Sequence, residues 1–548
     1  RDAHSLMRDE GRPCFAATCV LGVETPEAFA RHVRVRDWEP VNVAPKIGDV
    51  PKVIAALGGS KLYGDEPWIA LRELLQNALD AVRALRALGQ LGKTEGEVEV
   101  MAEPADGDDW WLHVTDTGIG MSRHVLTNVL LDFGNSFWRS DALRDELPGL
   151  ARSGFDAVGQ FGIGFYSVFM LGSQVRVTTR RFERSERDDA DQWLLTFEDG
   201  LQGRPMLTRA MARDRLQRHG TQVSIKLGAA RLARMIKLMS NKKLLGILLK
   251  QAYFSDPDKV LLREGSKLLP ALAGWLCPAS EVTVHVQFAD TPRIAVVAPN
   301  DWINIGQEAL TGRLHCADGH LVPLRDECGN LIGRVGMDPR HDGRCSVVLH
   351  GVRCGEIPGL VGVALARENN RDARRTEAAV AGSTAAWSRW AEQVLAGQPN
   401  LEIGALLKLY PLLPDRDLPV WRYGAYAMTL NDLVAQIVVT HELRIHLGEV
   451  SHEDYDDVGH DRFRAVFNVS GQLVITPQYE PSHIGSERRD FPWLLGVAPI
   501  DYKSRLEAEL TQHWGGFEEH FDDWAVVAEV DGIEIYRSVT VYRRVPAA

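Results

Sequence analysis

Apolar and polar positions follow two rhythms along this chain, and the changes between them mark its elements. In ELLQNALDA (residues 73–81) Leu74, Leu75, Ala78 and Leu79, continued by Val82, recur at helical spacing. The pattern predicts a helix with an apolar back. Glu73, Asn77 and Asp80, at i, i+4 and i+7, share its other face. Shorter runs, alternating or rich in β-branched residues, predict strands at EVEVMA, WWLHVTD, QVRVTTRR, QWLLTFED and TQVSIKL. The PADGD segment between the first two reads as a hairpin turn. From about residue 53 to 227 the order is helix, helix, strand, strand, loop, helix and three strands. That order predicts an α+β fold, an α/β sandwich with a mixed or antiparallel sheet covered by helices on one face, rather than a doubly wound parallel sheet.

Beyond this region a Lys/Arg-bearing helical stretch (230–252) leads into a strand-rich part from about 282 to 355, with turns at Asp318-Gly319, Cys328-Gly329 and Asp342-Gly343. A helical run carrying Trp387 and Trp390 follows. The last part contains the strand pairs FNVSGQLVITP and WAVVAEVDGIEIYRSVTVYRR. At the other end, WEPVNVAP is extended because Pro40 and Pro45 disfavour helix. The division expected is 1–50, a partial segment; 51–230, the α/β sandwich; 231–398, a middle region; and 399–548, an α/β region whose role its residues do not reveal. Opening on Arg1, the chain reads as a piece of a longer protein.

Length supports three or four domains, because 548 residues exceed one compact core. Lys plus Arg number 62 against 74 Asp plus Glu, a net charge of -12, which argues against nucleic acid as the main partner. Seven cysteines without a CxxC pair fit a reducing compartment, so cytoplasm is expected. No apolar run approaches the ~20 residues needed to span a bilayer, and the expectation is of no membrane association.

The chemistry concentrates in four short stretches, ELLQNALDA, DTGIGM (116–121), GQFGIGFYS (159–167) and HGT (219–221). On the first, the Asn77 amide oxygen suits Mg2+ shared with phosphate oxygens, and Glu73 one turn earlier can orient and deprotonate a water. The second ends a strand in Asp116, whose carboxylate can accept from an exocyclic amine and so tell adenine from guanine. Gly118 and Gly120 beside it allow a tight backbone path along a flat ligand. In the third, Gly159, Gly162 and Gly164 precede an apolar helix beginning near Phe165, where backbone N–H groups can receive phosphates. Each motif alone has an ordinary reading, as a solvated helix face, a turn or a flexible connector. Their order and spacing turn them into one ATP site.

In this order the four motifs resemble the GHKL superfamily, which includes DNA gyrase B, the mismatch-repair protein MutL, sensor histidine kinases and the heat shock protein 90 chaperones. GQFGIGFYS and DTGIGMS resemble the heat shock protein 90 form most closely, over about residues 60–230. The resemblance implies a Bergerat-type fold and an ATPase that uses ATP and Mg2+. It implies Glu73 as general base, Asn77 as Mg2+ ligand, Asp80 as a polar pocket group and Asp116 as the adenine reader. Gly120 and Met121, with Ala81, would line the base; Phe161, Gly162 and Gly164 would approach the phosphates; Thr221 would support Asp116 through water. Residues 122–158 would be a lid that closes over ATP.

Where the family's lid has a phosphate-binding lysine, LLDFGNSFWRSD offers Asn135, with Arg139 as a substitute. The middle domain of these chaperones supplies an arginine to the γ-phosphate, and in LARENNRDARRTEA the choice is Arg371 over Arg367, Arg374 and Arg375, against a solvated basic helix start. The tail does not resemble the family's dimerisation domain. RDAHSLMRDEGRP resembles the closing helix of HD-type metal phosphohydrolases, with Asp2 as ligand and an incidental amphipathic helix as the competing reading. His315, Cys316, His320 and Cys328 lack zinc-site spacing, and neither GxSxG nor a P-loop is present. Three functions remain: a chaperone-like ATPase acting on unfolded client protein, with homodimerisation open; a nucleotide-gated signalling or interaction scaffold in stress or defence; and a sensor histidine kinase, disfavoured because 1–50 is short for a phosphoacceptor helix pair.

Overall fold

The computed structural model describes residues 66–132, 164–183, 192–239 apart from 203, 256–338 apart from 317–318, 344–367, 380–398, most of 401–447, and 502–545 apart from 531–532. Isolated positions within 7–11 and 138–157 and the runs 466–467 and 473–476 complete the set. Residues 1–56 form one compact unit and 57–548 another. In the first unit only Met7, Arg8 and Gly11 are described, so the HD-like reading of Asp2 falls outside the described residues.

The first motif lies on a 20-residue helix, α1 (Trp68–Ala87), whose Leu71, Leu74, Leu75, Leu79, Val82 and Leu85 are buried as the spacing predicts. Gly89, in the left-handed region, ends it and returns its N–H to the Arg86 carbonyl. Against α1 lies a sheet made from β1 (Glu97–Pro104), β2 (Asp109–Asp116), β3 (Val175–Arg180), β4 (Gln192–Phe197), β5 (Met206–Arg209), β6 (Gly220–Gly228), β7 (Thr283–Phe288) and β8 (Ile294–Val297), in the order β5-β4-β3-β6-β2-β1-β7-β8. All neighbours are antiparallel except β1 and β7. This is the mixed sheet the strand pattern predicts, with β5 as a strand the sequence reading passed over.

The helix expected after the glycine loop is present as a 3-10 helix, Gly164–Met170. Ser167 Oγ donates to the Gly164 carbonyl at 2.6 Å, taking an acceptor that an α-helical turn would use. The sheet runs past residue 230, where the sequence reading places a boundary. β7 pairs with β1 along Glu97–Ala102, and α2 (Ala229–Lys237), α3 (Pro257–Arg263) and α4 (Gly265–Leu276) contribute Leu232, Ile236, Leu261, Leu269 and Leu272 to the core that holds Leu75 and Leu112.

A five-stranded sheet follows, from β9 (Val322–Arg325), β10 (Leu331–Met337), β11 (Arg344–Leu349), β12 (Val352–Pro358) and β13 (Leu360–Leu365), in the order β12-β11-β13-β10-β9. The β9–β10 turn contains Cys328-Gly329 as predicted, with Gly329 at positive φ. Helix α6 (Thr384–Gly397), after α5 (Gln307–Leu314), carries Trp387 and Trp390 into the core, where Trp390 Nε1 donates to the Val335 carbonyl at 3.0 Å. That core also holds Trp421, Leu443, Leu506 and Tyr542, so it continues past residue 398.

The third sheet has seven strands: β14 (Trp421–Tyr423), β15 (Tyr426–Met428), β16 (Glu442–Leu447), β17 (Val466–Phe467), β18 (Leu473–Thr476), β19 (Phe517–Val530) and β20 (Ile533–Arg544). The β19–β20 hairpin is the one expected from WAVVAEVDGIEIYRSVTVYRR. The two halves of FNVSGQLVITP do not pair with each other: β17 joins β19, while β18 lies between β14 and β16. The β16–β18 ladder is parallel, so the link between those strands is a crossover and not a hairpin.

Candidate functional site

Three polar residues sit where the core pattern of three neighbouring strands would place hydrophobic ones. On β2 the inward positions run Leu112, Val114, Asp116; on β6 they include Ile225 and Thr221; on β3 they run Val175, Val177, Thr179. The register sets Asp116 opposite Thr221 and Thr221 opposite Thr179, so the three form one row at the end of the sheet. All three are buried, Asp116 at 6% exposure.

Asp116 Oδ1 accepts the Gly118 N–H at 2.7 Å, and a backbone hydrogen bond from Thr221 adds a second donor. Burial outweighs both and pushes this carboxyl up to about 7. Thr179 Oγ1 accepts the Met121 N–H at 2.8 Å, lies 3.1 Å from the Gly220 carbonyl and 3.0 Å from Thr221 Oγ1. With its own proton on Gly220, the Thr179 oxygen receives the Thr221 hydroxyl. The row is thereby closed by its own hydrogen bonds, leaving the Thr221 oxygen as an acceptor.

The DTGIGM turn is pinned from three sides. Ile119 N–H donates to the Ala81 carbonyl of α1 at 3.2 Å, and Phe182 N–H donates to the Ile119 carbonyl at 2.8 Å. His219 Nδ1, which must carry the proton, donates to the Gly118 carbonyl at 2.8 Å, with its ring edge-on to Phe182. Gly120 has φ +64, and a Cβ there would lie 2.1 Å from the Arg180 carbonyl oxygen, so no side chain fits. Ala81, Gly120 and Met121 are half-buried around this turn.

On α1, Glu73 is 2% exposed and takes a hydrogen bond from Arg72 Nη2 at 3.1 Å. Its other oxygen faces the glycine segment: a Cβ on Gly164 would lie 2.6 Å from Glu73 Oε2. The structure thus brings the carboxylate of the first motif against the backbone of the third. Asn77 is half-buried one turn on. Asp80 is fully buried, and its Oδ1 accepts from Arg83 Nη1 at 2.8 Å. Among the expected site residues, Glu73, Asn77, Asp80, Ala81, Asp116, Gly118, Gly120, Met121, Gly164 and Thr221 are described. Gly159, Phe161, Gly162, Asn135 and Arg371 lie outside the described residues, as does the alternative Arg139.

Sequence reasoning missed Thr179, Arg72 and Arg83. For Thr179 a signal existed, because it falls on the inward phase of VRVTTR and ends that stripe. Arg72 and Arg83 had none, since basic residues on a helix ordinarily face water.

The donor set fits an adenine nucleotide with magnesium. A carboxylate costly to ionise in isolation gains when an amine donates to it, and Glu73 and Asn77 offer oxygens on the same side of α1. Comparison with known proteins identifies an ATPase domain over the same residues. Residues 65–238 match the family model for histidine kinase-, DNA gyrase B- and HSP90-like ATPases. Those residues are a GHKL-type ATPase domain. The domain is homologous to that of the heat shock protein 90 chaperones: the chain is 33% identical over 162 residues to the chaperone protein HtpG of Halalkalibacterium halodurans, covering 29% of this chain and 24% of that protein. The HtpG of Nitrosomonas europaea is 30% identical over 235 residues, 40% of this chain and 35% of that protein. The mitochondrial heat shock protein 75 kDa of Bos taurus is 38% identical over 120 residues, 22% and 16% of the two chains. The chain therefore spans about a third or less of these relatives. Among the described residues of the ATPase domain and beyond it, no helix is long and apolar enough to cross a membrane.

Proposed function

We propose that this protein binds and hydrolyses ATP with Mg2+ as a chaperone-like machine, in which residues 122–158 close over the nucleotide and the ATPase domain works together with the strand-rich region that follows it. The observation that carries this reading is the buried Asp116–Thr221–Thr179 row, one strand end from a turn that admits no side chain at Gly120. Asp116 accepts the adenine amine, and the half-buried Ala81 and Met121 flank the ring. When bound, Mg-ATP supplies the phosphoryl group that water attacks. Glu73 holds and deprotonates that water, and Asn77 gives its amide oxygen to the metal. Breaking the Arg72–Glu73 ion pair frees the carboxylate for this work, because a carboxylate held by a guanidinium is a weak base.

In this reading Asn135 and the glycines at 159, 162 and 164 contact phosphates, Arg371 reaches the γ-phosphate, and the partners are unfolded client protein and a second copy, in the cytoplasm. The scaffold reading differs in one measurable respect, turnover. Steady-state phosphate release by the purified chain, measured with and without an unfolded client and alongside calorimetric titration of ATP, tests the proposal. Binding without release of phosphate would transfer the assignment to a scaffold, and no binding would end both.

A further inference from the structure

Arg83 projects from α1 three residues beyond Asp80 and joins four separate segments of the chain. Its Nη1 donates to Asp80 Oδ1 at 2.8 Å, its Nε donates to Glu281 Oε1 at 2.7 Å, and its Nη2 lies 3.0 Å from His350 Nδ1. Arginine carries no acceptor, so Nη2 is the donor and His350 Nδ1 presents its lone pair. The guanidinium carbon lies over the Phe155 ring, 5.4 Å from Cζ to the centroid. Only 12% of the Arg83 side chain is exposed.

Each partner belongs to a different part of the machine. Asp80 lies on the helix that carries Glu73, two turns further on. Phe155 lies within 122–158 and meets Trp138 at a tilt of 59°, ring centroids 5.3 Å apart, in a small cluster where Leu143 and Leu150 meet Ala84 of α1. Glu281 precedes β7, and the neighbouring Arg86 fixes its backbone by donating to the Glu281 carbonyl at 2.8 Å. His350 sits at the turn between β11 and β12 with φ +47, a conformation only a determined turn retains. Gly351 beside it is packed against the backbone of Ala279 and Ser280, so the turn is seated on the segment leading into β7.

We infer that Arg83 is a positioning residue that couples the Phe155–Trp138 cluster to the β11–β12 turn of the second sheet, and through Asp80 to the helix that carries Glu73. The inference rests on the ATPase reading above and adds the route by which the second sheet senses the nucleotide. The physical basis is the fork geometry of arginine. Three donors in one rigid plane cannot follow three partners independently, so movement of the Phe155 side of the guanidinium tilts its bonds to Asp80 and His350 together. Glu281, held by Arg86 as well, is the fixed point about which that tilt occurs.

Two substitutions test this without stripping the buried Asp80 of its counter-charge. Arg83→Lys keeps a cation for Asp80 but makes a single-point contact in place of the fork, and His350→Ala removes the turn's acceptor. Expected are an affinity for a non-hydrolysable ATP analogue within about twofold of the parent and a kcat lowered about fivefold or more, with KM little changed. The double variant should be no slower than the slower single one. Hydrogen exchange of 344–358, which should change on adding the analogue with Mg2+ in the parent, should no longer respond in either variant. Parental kcat with an intact exchange response in His350→Ala, or multiplicative losses in the double variant, overturns the coupling role. An affinity loss as large as the loss of kcat/KM would also overturn it, by reducing Arg83 to a wall of the pocket. A parent chain that binds the analogue without turnover would refute the ATPase reading instead, and the exchange response would then decide the coupling alone.

Discussion

In the proposed reading, the carboxyl of Asp116 makes adenine binding proton-linked. Burial pushes it from 3.8 up to about 7 in the unliganded domain, whereas an amine donating to it favours the ionised form. Nucleoside binding must then displace a proton at and below neutrality. With a value of about 7, roughly one site in eleven is ionised at pH 6 and about ten in eleven at pH 8, so affinity should rise about tenfold between them. Adenosine is the ligand of choice because it has no phosphate to titrate in that window. Calorimetry at pH 7 in buffers of different ionisation enthalpy should report about half a proton released per adenosine bound. Linkage fixes the sign for stability too. Between about pH 4 and pH 7 the folded state binds more protons than the unfolded state, so the unliganded protein loses stability as pH rises through that interval, by at most about 4 kcal/mol for a shift of roughly three units. Asp116→Asn should abolish nucleotide binding, remove the proton release and melt no lower than the parent at pH 8. An adenosine affinity flat from pH 6 to pH 8, or uptake of a proton on binding, would refute the argument that this carboxylate reads the base.

Other perturbations separate binding from chemistry. Glu73→Ala should retain ATP binding and lose hydrolysis by about 10²–10⁴-fold in single turnover, and a parental rate would remove its role as base. Gly120→Ala puts a Cβ 2.1 Å from the Arg180 carbonyl at a residue with φ +64, and urea unfolding should show a loss of about 1–3 kcal/mol or more together with loss of nucleotide binding. Arg371→Ala should slow hydrolysis at unchanged ATP affinity, and an unaltered rate would pass the role to Arg367, Arg374 or Arg375.

How much of this could be read from the residues alone depends on how local the information is. Helix α1 was legible because its apolar back recurs at helical spacing from Leu74 to Val82, and β1, β2, β3 and β6 because their alternation is strong. Strand β5 was not: only one residue of MLTR is better than exposed, so an edge strand leaves no hydrophobic trace. The extension of the first sheet by β7 was invisible for another reason. A parallel pairing with β1 across nearly 190 residues is fixed by packing of α2 to α4, and nothing in the alternation of TVHVQF names its neighbour. The same holds for β17 and β18, adjacent in sequence and apart in the sheet.

The candidate site shows the opposite relation between sequence and structure. Asp116, Thr221 and Thr179 interrupt the inward stripe of three strands, each at its end, and each interruption by itself looks like an ordinary strand terminus. Only the register reveals that they are one row, because an offset of one residue in either ladder would turn one of them to the opposite face of the sheet. A buried carboxylate with two backbone donors and two threonine hydroxyls beside it is a polar floor in an otherwise apolar layer, and such a floor destabilises the unliganded protein. Proteins keep that kind of arrangement where a ligand relieves it. The glycine motifs are compatible with plain turns, whereas the buried carboxyl of Asp116 is a core position that an amine donor would relieve, as the proposed nucleotide site requires.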